Sequence, residues 1–214
     1  MLPSRSSALV LALALAGCPG TRTAGTPKCP RDRTVTLTSQ EDVEKLAGCT
    51  TLSGLTIRSG ATIQLGPLRA LETITGDLIV GPTVGVEELS LTELRDVGGS
   101  IQVMSNGSLR GLFLPRLERA GRISIEGNSS LVTISLPRLV SVLGSFVITE
   151  DASLELVDLS VLASVGKDLV ITRNPELILI EADKLAQVLE VRIEENRKLP
   201  TDQSDALRAK SPPP

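Results

Sequence analysis

The stretch Ile123-Ser124-Ile125-Glu126-Gly127-Asn128-Ser129-Ser130-Leu131 predicts the architecture of this chain. The two isoleucines and Leu131 stand where a short strand and the turn after it direct side chains inward, whereas Ser124 and Glu126 point outward. Asn128 falls at the turn, where asparagine tolerates left-handed backbone geometry. The same arrangement recurs along most of the chain.

Copies of this stretch follow one another with a period of 22 or 23 residues. Each repeat, here called a row, predicts a short strand, a turn, a second extended segment and a turn back. One row cannot bury its own apolar face, but stacked rows bury a continuous core. The sequence therefore predicts a mainly β solenoid with repeats over about 55–199. The first strand column is Leu55, Leu78, Ile101, Ile123, Phe146, Leu169 and Val191; the column two residues later is Ile57, Val80, Val103, Ile125, Ile148, Ile171 and Ile193.

A polar column marks the corner after each strand. It reads Gly60, Thr83, Asn106, Asn128, Asp151, Asn174 and Asn196. Asparagine amides bond to backbone groups exposed at turns. We expect Asn106, Asn128, Asn174 and Asn196 to form a structural ladder from row to row.

The composition narrows the possible functions. The chain of 214 residues has a net charge of −3 and contains no histidine, tryptophan or tyrosine. No basic patch is built up, so we expect no nucleic-acid partner. Without imidazole there is no histidine general base and no histidine metal ligand, and we expect no metal, no cofactor and no catalytic residues.

Residues 1–18 have the features of a secretory signal: Arg5 precedes an apolar run that is shorter than the ~20 residues needed to span a bilayer. The run ends Leu15-Ala16-Gly17-Cys18, which resembles the bacterial lipoprotein lipobox, whose cysteine is lipidated. The alternative is an ordinary cleaved signal with an incidental cysteine. Residues 19–33 then form a flexible tether. The resemblance implies an exported protein anchored in the cell envelope, and Pro19 favours the outer membrane.

The start of the folded region predicts a helical cap. Ser39 has the character of a helix N-cap, and Gly48 would end the helix. With Cys18 lipidated in an exported protein, Cys29 and Cys49 are left to form a disulfide; a metal site would need more ligands than two thiols. At the other end, 203–210 is expected to form one or two helical turns. The predicted organisation is a signal at 1–18, a tether at 19–33, a solenoid with its N-terminal cap at 34–210 and a disordered tail at 211–214.

Three stretches also carry a family resemblance. The run 41–57 resembles the opening of a receptor L domain, the leucine-rich solenoid of insulin-receptor and epidermal-growth-factor-receptor ectodomains, and 71–80 and 162–170 repeat the signature. The resemblance implies a right-handed stack of short parallel strands with a helical N-terminal cap. The cysteine-rich module of those receptors has no counterpart here, so their ligands do not carry over.

A solenoid offers the outward side chains of its strands as an extended binding surface. We expect a non-catalytic, membrane-anchored protein that recognises a protein partner through this face. The alternatives are a structural envelope protein without a specific ligand and, more remotely, a polysaccharide-acting β-helix enzyme. Ile79, Val147 and Val170 also suit strands simply because they are β-branched. The candidate binding face is Ile79, Gln102, Met104, Ser124, Glu126, Val147, Val170 and Arg192.

Overall fold

The computed structural model of the protein describes residues 29–212, so the signal segment, Cys18 and most of the tether lie outside the described part of the chain. Among those residues, no helix is long and apolar enough to cross a bilayer. The helices are α1 (Gln40–Lys45), a 3₁₀ helix (Gly66–Ala70) and α2 (Thr201–Arg208). The strands are β1 (Thr34–Leu37), β2 (Thr51–Leu52), β3 (Gly54–Ile57), β4 (Thr73–Ile74), β5 (Leu78–Val80), β6 (Glu88–Ser90), β7 (Asp96–Met104), β8 (Gly111–Phe113), β9 (Arg119–Glu126), β10 (Thr133–Ser135), β11 (Ser141–Val142), β12 (Phe146–Thr149), β13 (Leu156–Asp158), β14 (Ser164–Val165), β15 (Asp168–Thr172), β16 (Leu179–Glu181) and β17 (Glu190–Glu194).

The main surface of the molecule is a long parallel sheet, with strand order β1-β3-β5-β7-β9-β12-β15-β17. Its register joins the predicted columns directly: Ile123 is paired with Phe146, and Phe146 with Leu169. Each strand therefore belongs to one row, and equivalent positions of successive rows lie side by side. The predicted fold class, a mainly β solenoid of stacked parallel strands, is confirmed.

Each row has more sides than the sequence pattern indicates. The second extended segment of the rows forms a five-stranded sheet, β16-β13-β10-β8-β6, here called the short sheet. The return segment also pairs from row to row, through β2, β4, β11, β14 and the beginnings of β7 and β9. We call this the third side. Strands such as Ser141–Val142 are too short to show an alternating pattern, so the sequence displays them only as a turn.

The core lies between these sides and is almost wholly aliphatic. Phe146 is fully buried at its centre, and the inward columns of both sheets are buried along the whole stack. Burying such side chains stabilises the fold by about 1.5–3 kcal/mol each before the ordering entropy is subtracted. The sheet face opposite this core is left to meet solvent or a partner.

Several rows have a glycine near the start of the strand. Close contact between neighbouring rows explains these glycines better than turn geometry does. A Cβ atom at Gly166 would lie 2.1 Å from the carbonyl oxygen of Leu143, and one at Gly121 would lie 2.5 Å from that of Gly99. Neither Gly166 nor Gly121 has a positive φ. The third side is therefore packed backbone against backbone.

The N-terminal helix begins at the predicted N-cap, but it ends at Lys45 with Leu46 as its C-cap, before the predicted stop at Gly48. Ser39 accepts a hydrogen bond from the Asp42 backbone, and the Asp42 carboxylate accepts one from the Ser39 backbone, which completes a capping box at the start of α1. Cys29 and Cys49 form a disulfide, with their Cα atoms 5.6 Å apart, and that prediction is confirmed. The bridge fixes the chain just before β1.

The C-terminal cap differs in detail from the prediction. Helix α2 begins at Thr201 and ends at Arg208, so it starts two residues before the predicted range 203–210, and its N-cap Pro200 makes no side-chain hydrogen bond. Arg208 then donates to the carbonyl of Ile193, and Ser211 accepts from the backbone N–H of Val191 at 2.8 Å. Ser211 belongs to the cap and not to a tail, because it satisfies the exposed edge of β17.

Candidate functional site

The outward face of the long sheet gathers the predicted binding residues into columns. One column runs in register through Ile79, Gln102, Ser124, Val147, Val170 and Arg192. A second column, two residues further along each strand, contains Met104, Glu126, Thr149, Thr172 and Glu194. All eight candidate residues thus lie on one face, across six successive strands.

The apolar members of this face form two separate pairs. Val147 and Val170 are direct partners on β12 and β15. Ile79 and Met104 lie diagonally on β5 and β7, because the direct partner of Ile79 is Gln102. The row of Ser124 and Glu126 separates the two pairs. All four apolar side chains are half-buried, so the face carries two small apolar spots within a polar surface.

Val147 and Val170 form the floor of a groove, which we call the strand-face groove. A shallow depression of about 310 Å³ lies over both valines and is bordered by Arg173, Arg192 and Glu194. A second depression of about 340 Å³ shares Val147 and reaches Gln102, Arg122, Ser124 and Ser145. The two depressions meet at Val147 and together span the strands from β7 to β17, and the name strand-face groove covers both.

The walls of the groove carry hydroxyl groups and charges of both signs. The Thr149 and Thr172 hydroxyl oxygens are 3.0 Å apart on neighbouring strands. Arg173 Nη2 lies 3.0 Å from Glu150 Oε1 at the rim, in a pair whose side chains are both about half exposed. Exposed pairs of this kind contribute only ~0–1 kcal/mol to stability. Their side chains remain available for a partner.

A column of left-handed residues follows the strands of the long sheet, and two of its members, Arg173 and Glu195, line the strand-face groove. Ser105, Glu150, Arg173 and Glu195 have φ values of 56°, 60°, 58° and 56°. Each immediately precedes a corner residue of the polar column, as does Gly127, with a φ of 66°. The sequence analysis associated left-handed geometry with the corner asparagines, whereas the structure places it one residue earlier, where only Gly127 carries a recognisable signal. Left-handed geometry at non-glycine residues is concentrated at functional sites, and here it directs Arg173 and Glu195 to the rim.

The corner residues stand behind this rim in one hydrogen-bonded ladder. Asn106 donates through Nδ2 to Asn128 Oδ1 at 2.8 Å and to the carbonyl of Val80 at 3.1 Å. The backbone N–H of each corner residue bonds to the side-chain oxygen of the next corner residue. The full ladder is Asn106, Asn128, Asp151, Asn174 and Asn196, so it includes an aspartate that we had not placed in it.

Asp151 is a fully buried carboxyl group within a column of amides. Burial raises the pKa of Asp151 from 3.8 to about 6; hydrogen bonds from Asn128 oppose this effect, and the nearby Glu126 and Glu150 carboxylates add to it. Asp151 Oδ1 accepts from the Asn128 backbone N–H and Nδ2, whereas Oδ2 is buried without a partner. Glu150 is exposed, so the adjacent Glu150 and Asp151 carboxyls do not converge.

Residues 29–212 contain no cluster of metal-ligating side chains, and they expose two leucines away from the strand face. No group of three or more cysteine, aspartate or glutamate side chains is arranged to hold a metal ion in this part of the chain. On the third side, Leu143 and Leu189 are 72% and 63% exposed, which makes them more accessible than any apolar residue of the strand face. The predicted lipidation site, Cys18, lies outside the described residues.

Comparison of the chain with family models, curated proteins and solved structures found no match. The solenoid itself is established by its strand register. The receptor L-domain resemblance, the lipid anchor and the binding role are proposals.

Proposed function

We propose that this chain is a non-catalytic lipoprotein of the bacterial envelope that binds a protein partner through the strand-face groove. The observation that carries the proposal is the adjacent Val147–Val170 pair, half-buried on the floor of a groove with charged and hydroxyl-bearing walls. Protein interfaces combine an apolar centre with a polar rim in this way.

The shape of the groove favours a macromolecular partner. Small-molecule sites are deep concavities that bury most of a ligand, whereas this groove is a shallow trough across several strands. Solenoids commonly use such extended surfaces for binding. The resemblance of 41–57 and 71–80 to receptor L domains adds to the proposal, since it implies a solenoid used for recognition.

The anchor is the second part of the proposal. Leu15-Ala16-Gly17-Cys18 would place a lipidated cysteine at the mature N-terminus, and the tether would connect it to the disulfide-fixed start of the solenoid. Two or more acyl chains give stable membrane attachment. The outer membrane is the proposed location. Mass spectrometry of the mature protein should show a lipid on Cys18, and an unmodified N-terminus at another residue would contradict this.

Crosslinking in intact cells tests the binding role. Cells expressing the full chain should yield a crosslinked partner that disappears with the double substitution Val147→Lys and Val170→Glu. The matched control is Leu143→Lys, which adds a charge at an exposed aliphatic position on the third side. Urea unfolding of the purified variants separates lost binding from lost folding. Unchanged crosslinking of the same partner by a folded groove variant would show that it binds elsewhere and would overturn the groove as the binding surface, whereas a wild type that crosslinks to no partner would support a structural role without a specific ligand.

A further inference from the structure

Asp151 is the one carboxyl side chain in a ladder whose other members are asparagines. An asparagine at this position would use its Oδ1 as an acceptor and its Nδ2 as a donor, as Asn128 does toward Val103 and the next ladder residue at 3.0 and 2.9 Å. Asp151 Oδ1 fills the acceptor role, with hydrogen bonds of 2.8 and 2.9 Å from Asn128. The donor role falls to Oδ2, which is buried without a partner.

The repeat identifies the acceptors that this donor would use. Asn106, Asn128, Asn174 and Asn196 all donate through Nδ2 to a backbone carbonyl one row earlier. The equivalent carbonyl for position 151 is that of Ile125. Asn174 Oδ1 is the equivalent side-chain acceptor, and it accepts only the Asp151 backbone N–H, at 3.0 Å. An ionised carboxylate can donate to neither group.

We propose that Asp151 makes the corner ladder proton-dependent: a carboxylic acid hydrogen on Oδ2 replaces the missing amide hydrogen and strengthens the stack as the pH falls. The proton comes from solvent, and no covalent bond of the chain changes. Protonation removes a buried charge and supplies a donor at the same position. Deprotonation leaves a carboxylate oxygen among acceptors in a site closed to water.

The surrounding carboxylates also disfavour the ionised form of Asp151. Glu126 on β9 and Glu150 at the preceding turn are the carboxylates that disfavour ionisation of Asp151. Arg173 is paired with Glu150 at the rim and makes no ion pair with Asp151. The backbone N–H and amide of Asn128 favour the ionised form, but burial outweighs them.

The sign of the effect follows from the raised pKa. The unfolded carboxyl titrates near 3.8 and the folded one near 6. Ionised Asp151 lowers the free energy of unfolding. This destabilisation is therefore absent below pH 3.8, develops between pH 3.8 and about 6, and is complete at higher pH. It corresponds to a roughly hundredfold change in the unfolding equilibrium constant. Acid should strengthen this part of the fold, in contrast to ordinary acid denaturation.

The test compares urea unfolding of the purified full-length chain with Asp151→Asn at pH 4 and pH 8. The variant should unfold with an equilibrium constant roughly hundredfold smaller than wild type at pH 8, and the two should agree more closely at pH 4. Asp183→Asn is the control, because it removes an exposed carboxylate whose side chain makes no hydrogen bond. A difference between Asp151→Asn and wild type that is the same at both pH values would overturn the proposal.

A direct titration keeps the proposal testable if Asp151→Asn does not fold. NMR of the ¹³C-labelled wild-type carboxyl groups should find one aspartate titrating near pH 6, with a protonated carboxyl signal below it. Assignment rests on through-bond correlation to the Asp151 backbone. Titration of Asp151 at or below pH 4 would refute the proton-dependent ladder.

Discussion

Asn106 donates both its backbone N–H and its Nδ2 to Oδ1 of Asn128, at 3.2 and 2.8 Å. Both side chains are completely buried, and the two residues belong to successive rows of the solenoid. A single side-chain oxygen therefore satisfies two donors of the row before it. This contact links rows by hydrogen bonds at the corner, where the strands of the long sheet have already ended.

Substitution Asn128→Ala should destabilise the protein strongly. It leaves the buried backbone N–H of Asn106 and the carbonyl of Val103 without their partners. At ~1–3 kcal/mol for each orphaned group, we expect a loss of about 3 kcal/mol in the free energy of unfolding, measured by urea titration. Ser129→Ala, at the exposed neighbouring position, should change it by less than about 0.5 kcal/mol. A similar small loss for Asn128→Ala would show that the ladder is energetically unimportant.

Substitution Ser105→Gly should stabilise the protein. Ser105 has a φ of 56°, and left-handed geometry costs a non-glycine residue roughly 1–2 kcal/mol, partly offset by the greater freedom of glycine when unfolded. The expected gain is up to about 1 kcal/mol in thermal or urea unfolding. Ser108→Gly is the matched control, since Ser108 does not have a positive φ, and it should lower stability. A loss of stability for both substitutions would contradict the idea that the left-handed backbone of Ser105 is strained.

Substitution Gly166→Ala should be costly although alanine is small. Its Cβ would lie 2.1 Å from the Leu143 carbonyl oxygen, so adjacent rows must separate. Overpacking of this kind costs about 1–3 kcal/mol, measurable as a shift of the urea midpoint. Gly60→Ala is the control, because nothing lies within 4 Å of a Cβ at that position. Equal shifts of the urea midpoint for the two substitutions would indicate that adjacent rows separate at the third side without a measurable loss of stability.

Reduction of the Cys29–Cys49 bridge should weaken the N-terminal end of the stack. The two cysteines are separated by 20 residues, and closing a loop of about this size contributes ~3 kcal/mol by restricting the unfolded chain. Urea unfolding of wild type with and without dithiothreitol measures the loss. The double variant Cys29→Ser and Cys49→Ser should already show it and should not respond to the reductant. A wild type insensitive to reduction would contradict the prediction.

Helix α1 should respond to acid in the direction opposite to the ladder. Hydrogen bonds from the Thr38 backbone and the Ser39 and Thr38 hydroxyls lower the pKa of Asp42 from 3.8 to about 2. The capping contribution is therefore present above pH 3.8 and is lost as the pH falls through about 2. Hydrogen exchange of the Val43 amide should accelerate, relative to its intrinsic rate, over this range. Asp42→Asn should weaken that dependence.

The period of the sequence was sufficient to predict the long sheet and its outward face. Ile101, Ile123 and Phe146 are spaced by one row, so their alignment in sequence became their alignment in the sheet. The binding candidates share a face for the same reason. The same columns place Ile79 beside Gln102, so the division of the apolar candidates into two pairs also follows from the period.

Features that depend on distances between rows could not be read from one row. The left-handed φ of Glu150 and Arg173 has no compositional signal, since neither residue is glycine or asparagine. Asp151 appeared in the corner column, but its burial and its unpartnered Oδ2 emerge only when the neighbouring rows enclose it. Likewise, α2 begins at Thr201 without a side-chain cap from Pro200, and it packs against β17, a contact that the sequence of the helix alone does not display.

The number of rows in this protein can change without any change in its two caps. Helix α1 and the disulfide close one end, while Arg208 and Ser211 close the other, and neither cap depends on how many rows lie between them. Duplication of a segment of 22 or 23 residues would insert one whole strand into the face, which would lengthen it by about 4.8 Å. Such a chain has a modular route to evolve a wider surface while both of its ends stay unchanged.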